Sequence, residues 1–307
     1  MERVLVTGGA GFIGSNLVAA LRKQRPEARI TVLDRQRSSE RVKELEEENC
    51  RVIAGDVLWF EPDEDYSAVF HLASITDTTV EDHSENLVGF HTMLEAFRPR
   101  RTPIVYASSA SVYGLSQDSS PMRESQQPNP SGSYSRSKWQ MERLAALYSS
   151  RFPEWSIAGL RYFNVYGPGE NHKGKSASMI YQLFRQMSAG ERPRLFRDGE
   201  QKRDFVHVSD VVAMTMTVMD AARQKTVCGA FNCGSSQPAS FNEVVHQINA
   251  FLGTSLEPDY FPCSYPEFFQ PYTHADMSLA ASTFGFVPRW SPEAGIKNYL
   301  SSLKTQL

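Results

Sequence analysis

Tyr134 and Lys138 stand four residues apart in the run Ser133-Tyr134-Ser135-Arg136-Ser137-Lys138. Positions i and i+4 share one helix face, so a phenol and an ammonium spaced this way address the same site. A free tyrosine, with a pKa of about 10, is a poor base at neutral pH. Nearby positive charge, from the lysine or a cationic ligand, would stabilise the phenolate and bring that value down. Upstream, Ala107-Ser108-Ser109-Ala110 follows an apolar run and puts two hydroxyls at the end of a candidate strand. Tyr-x-x-x-Lys alone is a common coincidence of a half-buried tyrosine and a surface lysine. Its weight comes from what precedes it in the chain.

What precedes it is Val4-Leu5-Val6-Thr7-Gly8-Gly9-Ala10-Gly11-Phe12-Ile13-Gly14, a strand, a glycine turn and a helix start in succession. The glycines permit the tight turn, let backbone N–H groups approach a pyrophosphate and let the helix pack close to the strand. The helix N-terminus adds partial positive charge for that anion. Asp34 follows Gly14 by 20 residues, at the end of a second candidate strand. An acidic residue there accepts hydrogen bonds from an adenosine ribose. Asp34 favours the free 2′-hydroxyl of NAD, while Arg35 and Arg37 could meet the 2′-phosphate of NADP. Gly55-Asp56-Val57, after the third strand, could contact the adenine or be an ordinary turn.

These groups need a scaffold that carries them to one edge. Over the first 160 residues, short apolar runs alternate with helical patterns, as in a parallel sheet flanked by helices. The strands expected are Val4–Val6, Ile30–Leu33, Arg51–Ile53, Ala68–Phe70, Ile104–Tyr106 and Ile157–Leu160. Helices are expected from Phe12, over Lys43–Asn49, over Glu85–Phe97 and over Ser135–Ser150. Gly167–Ser176 has no periodicity and reads as a long mobile loop. Helical patterns resume at Met179–Met187, Val208–Ala222, Phe241–Leu252 and Pro292–Leu303. The fold expected is α/β: a Rossmann-like doubly wound parallel sheet with a smaller helix-rich C-terminal lobe. Residues 1–166 with about 204–232 would form the dinucleotide-binding domain, and 167–203 with 233–307 the substrate lobe.

The chain of 307 residues carries 35 acidic and 32 basic side chains, a net charge of −3, which argues against nucleic acid or an anionic membrane as partner. Its most apolar run, Val211 to Ala222, falls short of the ~20 residues a spanning helix needs. The N-terminus has no signal-peptide pattern. Cys50, Cys228, Cys233 and Cys263 form no CxxC pair and suit reduced thiols. A cytoplasmic protein is expected. No histidine pair has metal-ligand spacing, and no metal is expected.

In sum, TGGAGFIG, Asp34, ASSASVYG, YSRSK and RYFNVYGP, in that order, resemble the extended short-chain dehydrogenase/reductase superfamily over essentially the whole chain. The resemblance makes Tyr134 the acid/base, Lys138 the residue that orients the nicotinamide ribose, and Ser109 the donor to the reacting oxygen. It puts a tightly bound NAD or NADP, regenerated each cycle, against Gly8, Gly11, Phe12, Ile13, Gly14, Asp34, Arg35, Asp56, Val57, Leu72, Ala73, Ser74, Asn86 and Val165, besides Tyr134 and Lys138. Most members act on nucleotide-activated sugars. Ala110-Ser111 stands where dehydratases of the superfamily carry an Asp-Glu pair, so elimination of water is disfavoured.

Within the superfamily, the chain is most similar to the ADP-glycero-manno-heptose 6-epimerases. The segments that carry this are RYFNVYGP, His172-Lys173-Gly174 with Ala177-Ser178, Leu195-Phe196, KRDFV, FNCG and THAD. The resemblance implies epimerisation of a nucleotide-diphosphate sugar through a transient ketone, with Lys173 as a second acid/base opposite the tyrosine. Lys173 could equally be a solvated loop lysine. Arg203 is the candidate cation for the diphosphate, against a surface salt bridge with Asp204 or Glu200. Phe196 could support the adenine or belong to the core. Thr78, Thr79, Asn164, Lys175, Gln182 and Phe269 complete the substrate candidates. Ser176, Gln182 and Phe268-Phe269 depart from the family's usual residues. The alternatives are an epimerase of another nucleotide sugar, such as a 4-epimerase, and a non-catalytic dinucleotide-binding redox sensor. Relatives often form homo-oligomers, and one is expected here.

Overall fold

The computed structural model describes residues 2–36, 40–47, 49–115, 118–262 and 270–305, with the side chains of Glu40 and Lys175 also outside the description. The chain divides into two compact units. One comprises Met1–Val112, Pro130–Arg161 and Val212–Phe231. The other comprises Tyr113–Asn129, Tyr162–Val211 and Asn232–Leu307.

In chain order the elements begin with β1 (Arg3–Thr7), α1 (Phe12–Gln24), β2 (Arg29–Asp34), α2 (Glu40–Glu47), β3 (Arg51–Ala54) and β4 (Ala68–His71). Next come α3 (Ser84–Phe97), β5 (Ile104–Ser109), α4 (Ser133–Arg151), β6 (Ile157–Tyr162) and β7 (Asn164–Tyr166). Then follow α5 (Met179–Ser188), β8 (Arg194–Phe196), β9 (Lys202–His207), α6 (Val208–Gln224) and β10 (Cys228–Cys233). The chain closes with β11 (Pro238–Ser240), α7 (Phe241–Leu252), β12 (Asp259–Phe261), α8 (Ser278–Phe284) and α9 (Pro292–Lys304).

Seven strands form one sheet in the order β10-β6-β5-β4-β1-β2-β3. The pairs β3–β2, β2–β1, β1–β4 and β4–β5 are parallel. The run 3-2-1-4-5-6 is the order of a Rossmann-like sheet, whose strand C-termini form the ligand-binding edge. Val4, Leu5, Val6 and Phe70 are fully buried, as expected of strands covered on both faces. Leu5, Phe90, Met93, Tyr106, Met141 and Trp155 belong to one apolar cluster of this unit. Gly159 in β6 leaves room for a neighbouring ring, since a Cβ there would lie 2.6 Å from Tyr106 Cζ.

The second unit is not purely helical. β11, β9 and β7 make a three-stranded sheet and β12 pairs with β8; of these all but the six-residue β9 are too short to stand out as periodic runs. Its core gathers Tyr166, Leu183, Phe184, Phe205, Val244 and Tyr299. Local chemistry sets its helix ends: α7 has a Ser240/Glu243 capping box and ends on Gly253 at φ +70°. The stretch read as a loop from Gly167 to Ser176 contains 3-10 turns over Asn171–Ser176, with Gly174 at φ +53°. Several helices extend past the expected bounds by one or two residues. The charged helix end expected over Lys43–Asn49 closes the helix Glu40–Glu47, with Asn49 beyond it at φ +61°. Among the described residues no helix is long and apolar enough to cross a membrane.

Candidate active site

The first unit carries the glycine turn at the end of β1. Gly8 adopts φ +70° and its N–H donates to the Leu33 carbonyl at 2.8 Å. A Cβ on Gly8 would come within 2.7 Å of Ala73 N, and one on Gly14 within 2.1 Å of Gly8 O. The turn is therefore a cradle that only glycine allows, and it opens onto the uncapped start of α1, whose N-cap Gly11 has no side chain to satisfy the first-turn amides. Phe12 is buried, whereas Ile13 is half-buried. These residues fit a dinucleotide pyrophosphate.

Asp34 ends β2, its Oδ2 accepting from Ala10 N–H at 3.0 Å and its Oδ1 from Gln36 N–H at 3.1 Å. The carboxylate is thus tied to the glycine turn, and Gly55 N–H donates to its backbone carbonyl at 2.9 Å. Arg35 turns to two carboxylates, Asp56 at 2.8 Å and Glu85 at 2.7 Å. Asp56 also accepts from Leu58 N–H at 3.0 Å, capping the 3-10 turn that starts at Val57. Arg37 lies outside the described residues.

Leu72 and Ala73 are held over the turn by Thr7: Leu72 N–H donates to its carbonyl at 3.1 Å and Ala73 N–H to its hydroxyl at 3.2 Å. The same hydroxyl lies 3.0 Å from His71 Nδ1. Burial holds that histidine neutral, lowering its pKa to about 3. Asn86 pins the following loop, its Oδ1 accepting from Ile75 N–H at 2.7 Å and its Nδ2 donating to Ser137 Oγ at 3.1 Å. Ser74 Oγ donates to the Ile75 carbonyl at 3.4 Å.

Ser109, Tyr134 and Lys138 belong to this unit. Ser109, the last residue of β5, accepts from Ser111 N–H at 3.1 Å and acts to lower the pKa of the Tyr134 phenol. Lys138 is 1 % exposed, lies 5.9 Å from the centre of the Tyr134 ring and donates to the Ala107 carbonyl at 2.8 Å. Burial depresses its pKa to about 7, with Glu142 opposing. The expected fall in the tyrosine pKa does not occur from these side chains: burial raises it, and only Ser109 works the other way.

Sequence reasoning passed over two features here. His83 lies edge-on to Tyr134 at 5.5 Å, with its Nδ1 2.8 Å from Ser133 Oγ and its Nε2 3.0 Å from the Asp77 carbonyl. Glu142, one turn after Lys138, is buried with Arg161 and Ser108. Lys138-x-x-x-Glu142 and an arginine inside the apolar run of β6 were the available signals. Thr78 is exposed, and the exposed Thr79 donates to Asp77 Oδ1 at 2.7 Å.

In the second unit Lys173 sits in the 3-10 turns, half-buried, with its N–H donating to the Glu170 carbonyl at 3.0 Å. Burial lowers its pKa and Glu170 opposes that. Glu170 is fully buried and braces the segment, accepting from Ser178 N–H at 2.6 Å and Ser178 Oγ at 2.7 Å. Lys173 is therefore partly withdrawn from solvent in a braced segment.

Arg203, on β9, makes no salt bridge with Asp204 or Glu200. Its one hydrogen bond among the described residues goes to the Lys202 carbonyl at 2.9 Å, and burial lowers its pKa to about 10. Asp204 is occupied by Ser235, Ser236 and Ala275 amides. Phe196 is 41 % exposed and packs on Phe261 at 4.5 Å, so it is not a core residue. Asn164 is exposed, its Oδ1 3.4 Å from Thr273 Oγ1, and Val165 beside it is half-buried. Gln182 Nε2 donates to the Ala177 carbonyl at 2.7 Å. Lys175 lies in the 3-10 turns, and Phe269 is outside the described residues.

Residues 4–234 match the NAD dependent epimerase/dehydratase family. The chain is 34 % identical to an ADP-L-glycero-D-manno-heptose-6-epimerase of Alkalilimnicola ehrlichii, over 98 % of this chain and 97 % of that protein. Among solved structures it is similar to the ADP-L-glycero-D-manno-heptose-6-epimerase of Helicobacter pylori, with a TM-score of 0.87 at 34 % identity, covering 99 % of this chain and 96 % of the other. It is also similar to MoeE5 in complex with UDP-glucuronic acid and NAD, with a TM-score of 0.84 at 30 % identity and all of both chains covered.

Proposed function

This chain belongs to the NAD dependent epimerase/dehydratase family, and from that premise we propose that it epimerises a nucleotide-diphosphate sugar, ADP-glycero-manno-heptose at C6. The observation that carries the reading is Tyr134 at the start of α4 with the buried Lys138 one turn on, and Ser109 at the end of β5 acting to lower the phenol's pKa. That arrangement suits removal and return of the proton of a secondary alcohol. The similarity to ADP-heptose 6-epimerases over nearly the whole chain supports the choice of sugar.

In this reading the glycine turn and Asp34 hold the dinucleotide, and Lys138 orients its ribose. A bound nicotinamide would supply a reversible hydride acceptor for the carbinol hydrogen, so that net redox would be zero. Tyr134 takes the hydroxyl proton while Ser109 donates to the same oxygen, leaving a ketone. Inversion requires an acid/base for each face of that planar carbonyl. Tyr134 is assigned as one such group, and Lys173, with its proton affinity lowered by burial, as the second. Arg203 meets the diphosphate, for which a desolvated guanidinium without a carboxylate partner is well suited.

A second reading, epimerisation at another carbon of a UDP-sugar, is supported by the similarity to MoeE5. Incubation with ADP-glycero-manno-heptose and, separately, UDP-glucose and UDP-glucuronic acid, followed by proton NMR, separates the two. The 6-epimer should form from the ADP-sugar. Turnover of a UDP-sugar alone would overturn the heptose assignment.

A further inference from the structure

A buried ion pair is a poor way to gain stability, because well-packed apolar residues often do as well or better. Glu142 and Arg161 form such a pair, each side chain 4 % exposed. Arg161 donates to Glu142 through Nε at 3.0 Å and Nη2 at 2.7 Å, and Ser108 Oγ donates to the same carboxylate at 2.5 Å. Three elements of the sheet unit converge there: β5 through Ser108, α4 through Glu142 and β6 through Arg161. Ser108 directly precedes Ser109, and Glu142 lies one turn after Lys138 and two after Tyr134 on the same helix.

We propose that Glu142 is the internal counter-charge that keeps Lys138 an ammonium within the protein interior, and that Arg161 and Ser108 hold it in place for that task. It is a positioning residue, acting through Lys138, and the proposal rests on the role of Lys138 in the reading above. An ammonium has three donors, and Lys138 spends one on the Ala107 carbonyl. The other two have no acceptor among the described residues, which suits a lysine that must present N–H groups to a ligand. Those donors exist only while the nitrogen keeps its proton, and burial works against that. Its other neighbours among the described residues offer no negative charge: His71 on β4 is neutral, and Tyr134 on α4 is a phenol before reaction. Glu142 is the one carboxylate acting on Lys138 among the described residues.

The test is the titration of Lys138 in full-length protein labelled with 13C at lysine Cε, followed by NMR and assigned with Lys138→Met. Glu142→Gln should lower the midpoint so that roughly tenfold less ammonium is present at a given pH, as loss of one close opposite charge predicts. Glu142→Asp should restore it to within about threefold. Should Glu142→Gln not fold, Glu142→Gln/Arg161→Met leaves no buried charge unpaired and should still lower the midpoint, by less than Glu142→Gln because the opposing Arg161 cation is lost with the carboxylate. An unchanged midpoint in a folded Glu142→Gln or double variant would overturn the proposal and leave the pair a purely structural one. Since the titration needs no substrate, a wild type that turns over no nucleotide sugar would sink the function reading and leave this result readable.

Discussion

Replacing Arg203 with methionine should make the protein more stable and a poorer binder of its substrate. The guanidinium is desolvated without a carboxylate to compensate, and its pKa falls from 12.5 to about 10. At about 1.4 kcal/mol per unit, holding that cation in the folded state at pH 7 costs about 3 kcal/mol. A cation whose folded pKa is depressed is harder to keep charged when folded, so a neutral side chain removes the penalty. Methionine keeps much of the stem packing against Phe241, over whose ring the guanidinium lies at 5.8 Å. The expected gain is about 1–3 kcal/mol, allowing for the lost hydrogen bond to Lys202 O. Charged hydrogen bonds to a diphosphate are worth about 1.5–3 kcal/mol, so substrate affinity should fall roughly 10- to 100-fold. Urea denaturation and calorimetric titration with the nucleotide sugar measure the two quantities on one sample. A variant that is less stable, with affinity intact, would refute the reasoning and make Arg203 a structural residue.

Other perturbations have equally definite outcomes. Gly14→Ala forces a Cβ to 2.1 Å from Gly8 O, so NAD affinity by fluorescence titration should drop at least about tenfold while the fold persists. Gly159→Ala drives a methyl into the Tyr106 ring and should cost about 1–3 kcal/mol in urea denaturation without altering cofactor affinity. Lys138 binds its proton less tightly folded, at about 7, than unfolded, near 10.5. Between those values the unfolded chain holds a proton that the native one does not, so stability should rise with pH by up to about 1.4 kcal/mol per unit. That contribution should vanish from the urea midpoints of Lys138→Met. Lys173→Ala should reduce kcat far more than KM, and undiminished turnover would remove it from the chemistry.

Much of this was legible in the sequence because the chemistry depends on local pattern. Gly8, Gly11, Gly14 and Asp34 are fixed by the geometry of one β-turn-α-β unit, and Tyr134 and Lys138 by one helix turn. What stayed hidden depends on tertiary contacts. β7, β8, β11 and β12 have three residues each, too few for a period to register, and β10 carries glycine and asparagine within an edge strand. α8 has seven residues of mixed small and polar type, and its apolar face is carried by little beyond Ala280. The engagement of Arg35 with Asp56 and Glu85 joins residues from three separate segments, so its spacing gave no hint. Glu142 and Arg161 stand 19 residues apart with nothing in their spacing to link them, and only the fold makes them a buried pair.

The central claim, that a hydrogen leaves and returns to one carbon of a nucleotide sugar without exchange with water, is tested most directly by a single incubation. ADP-glycero-manno-heptose is equilibrated with the enzyme in deuterated buffer, and the proton at C6 is followed by NMR. The 6-epimer should accumulate with its C6 proton retained. Epimerisation accompanied by deuterium at that carbon would contradict the account and require exchange through an enol.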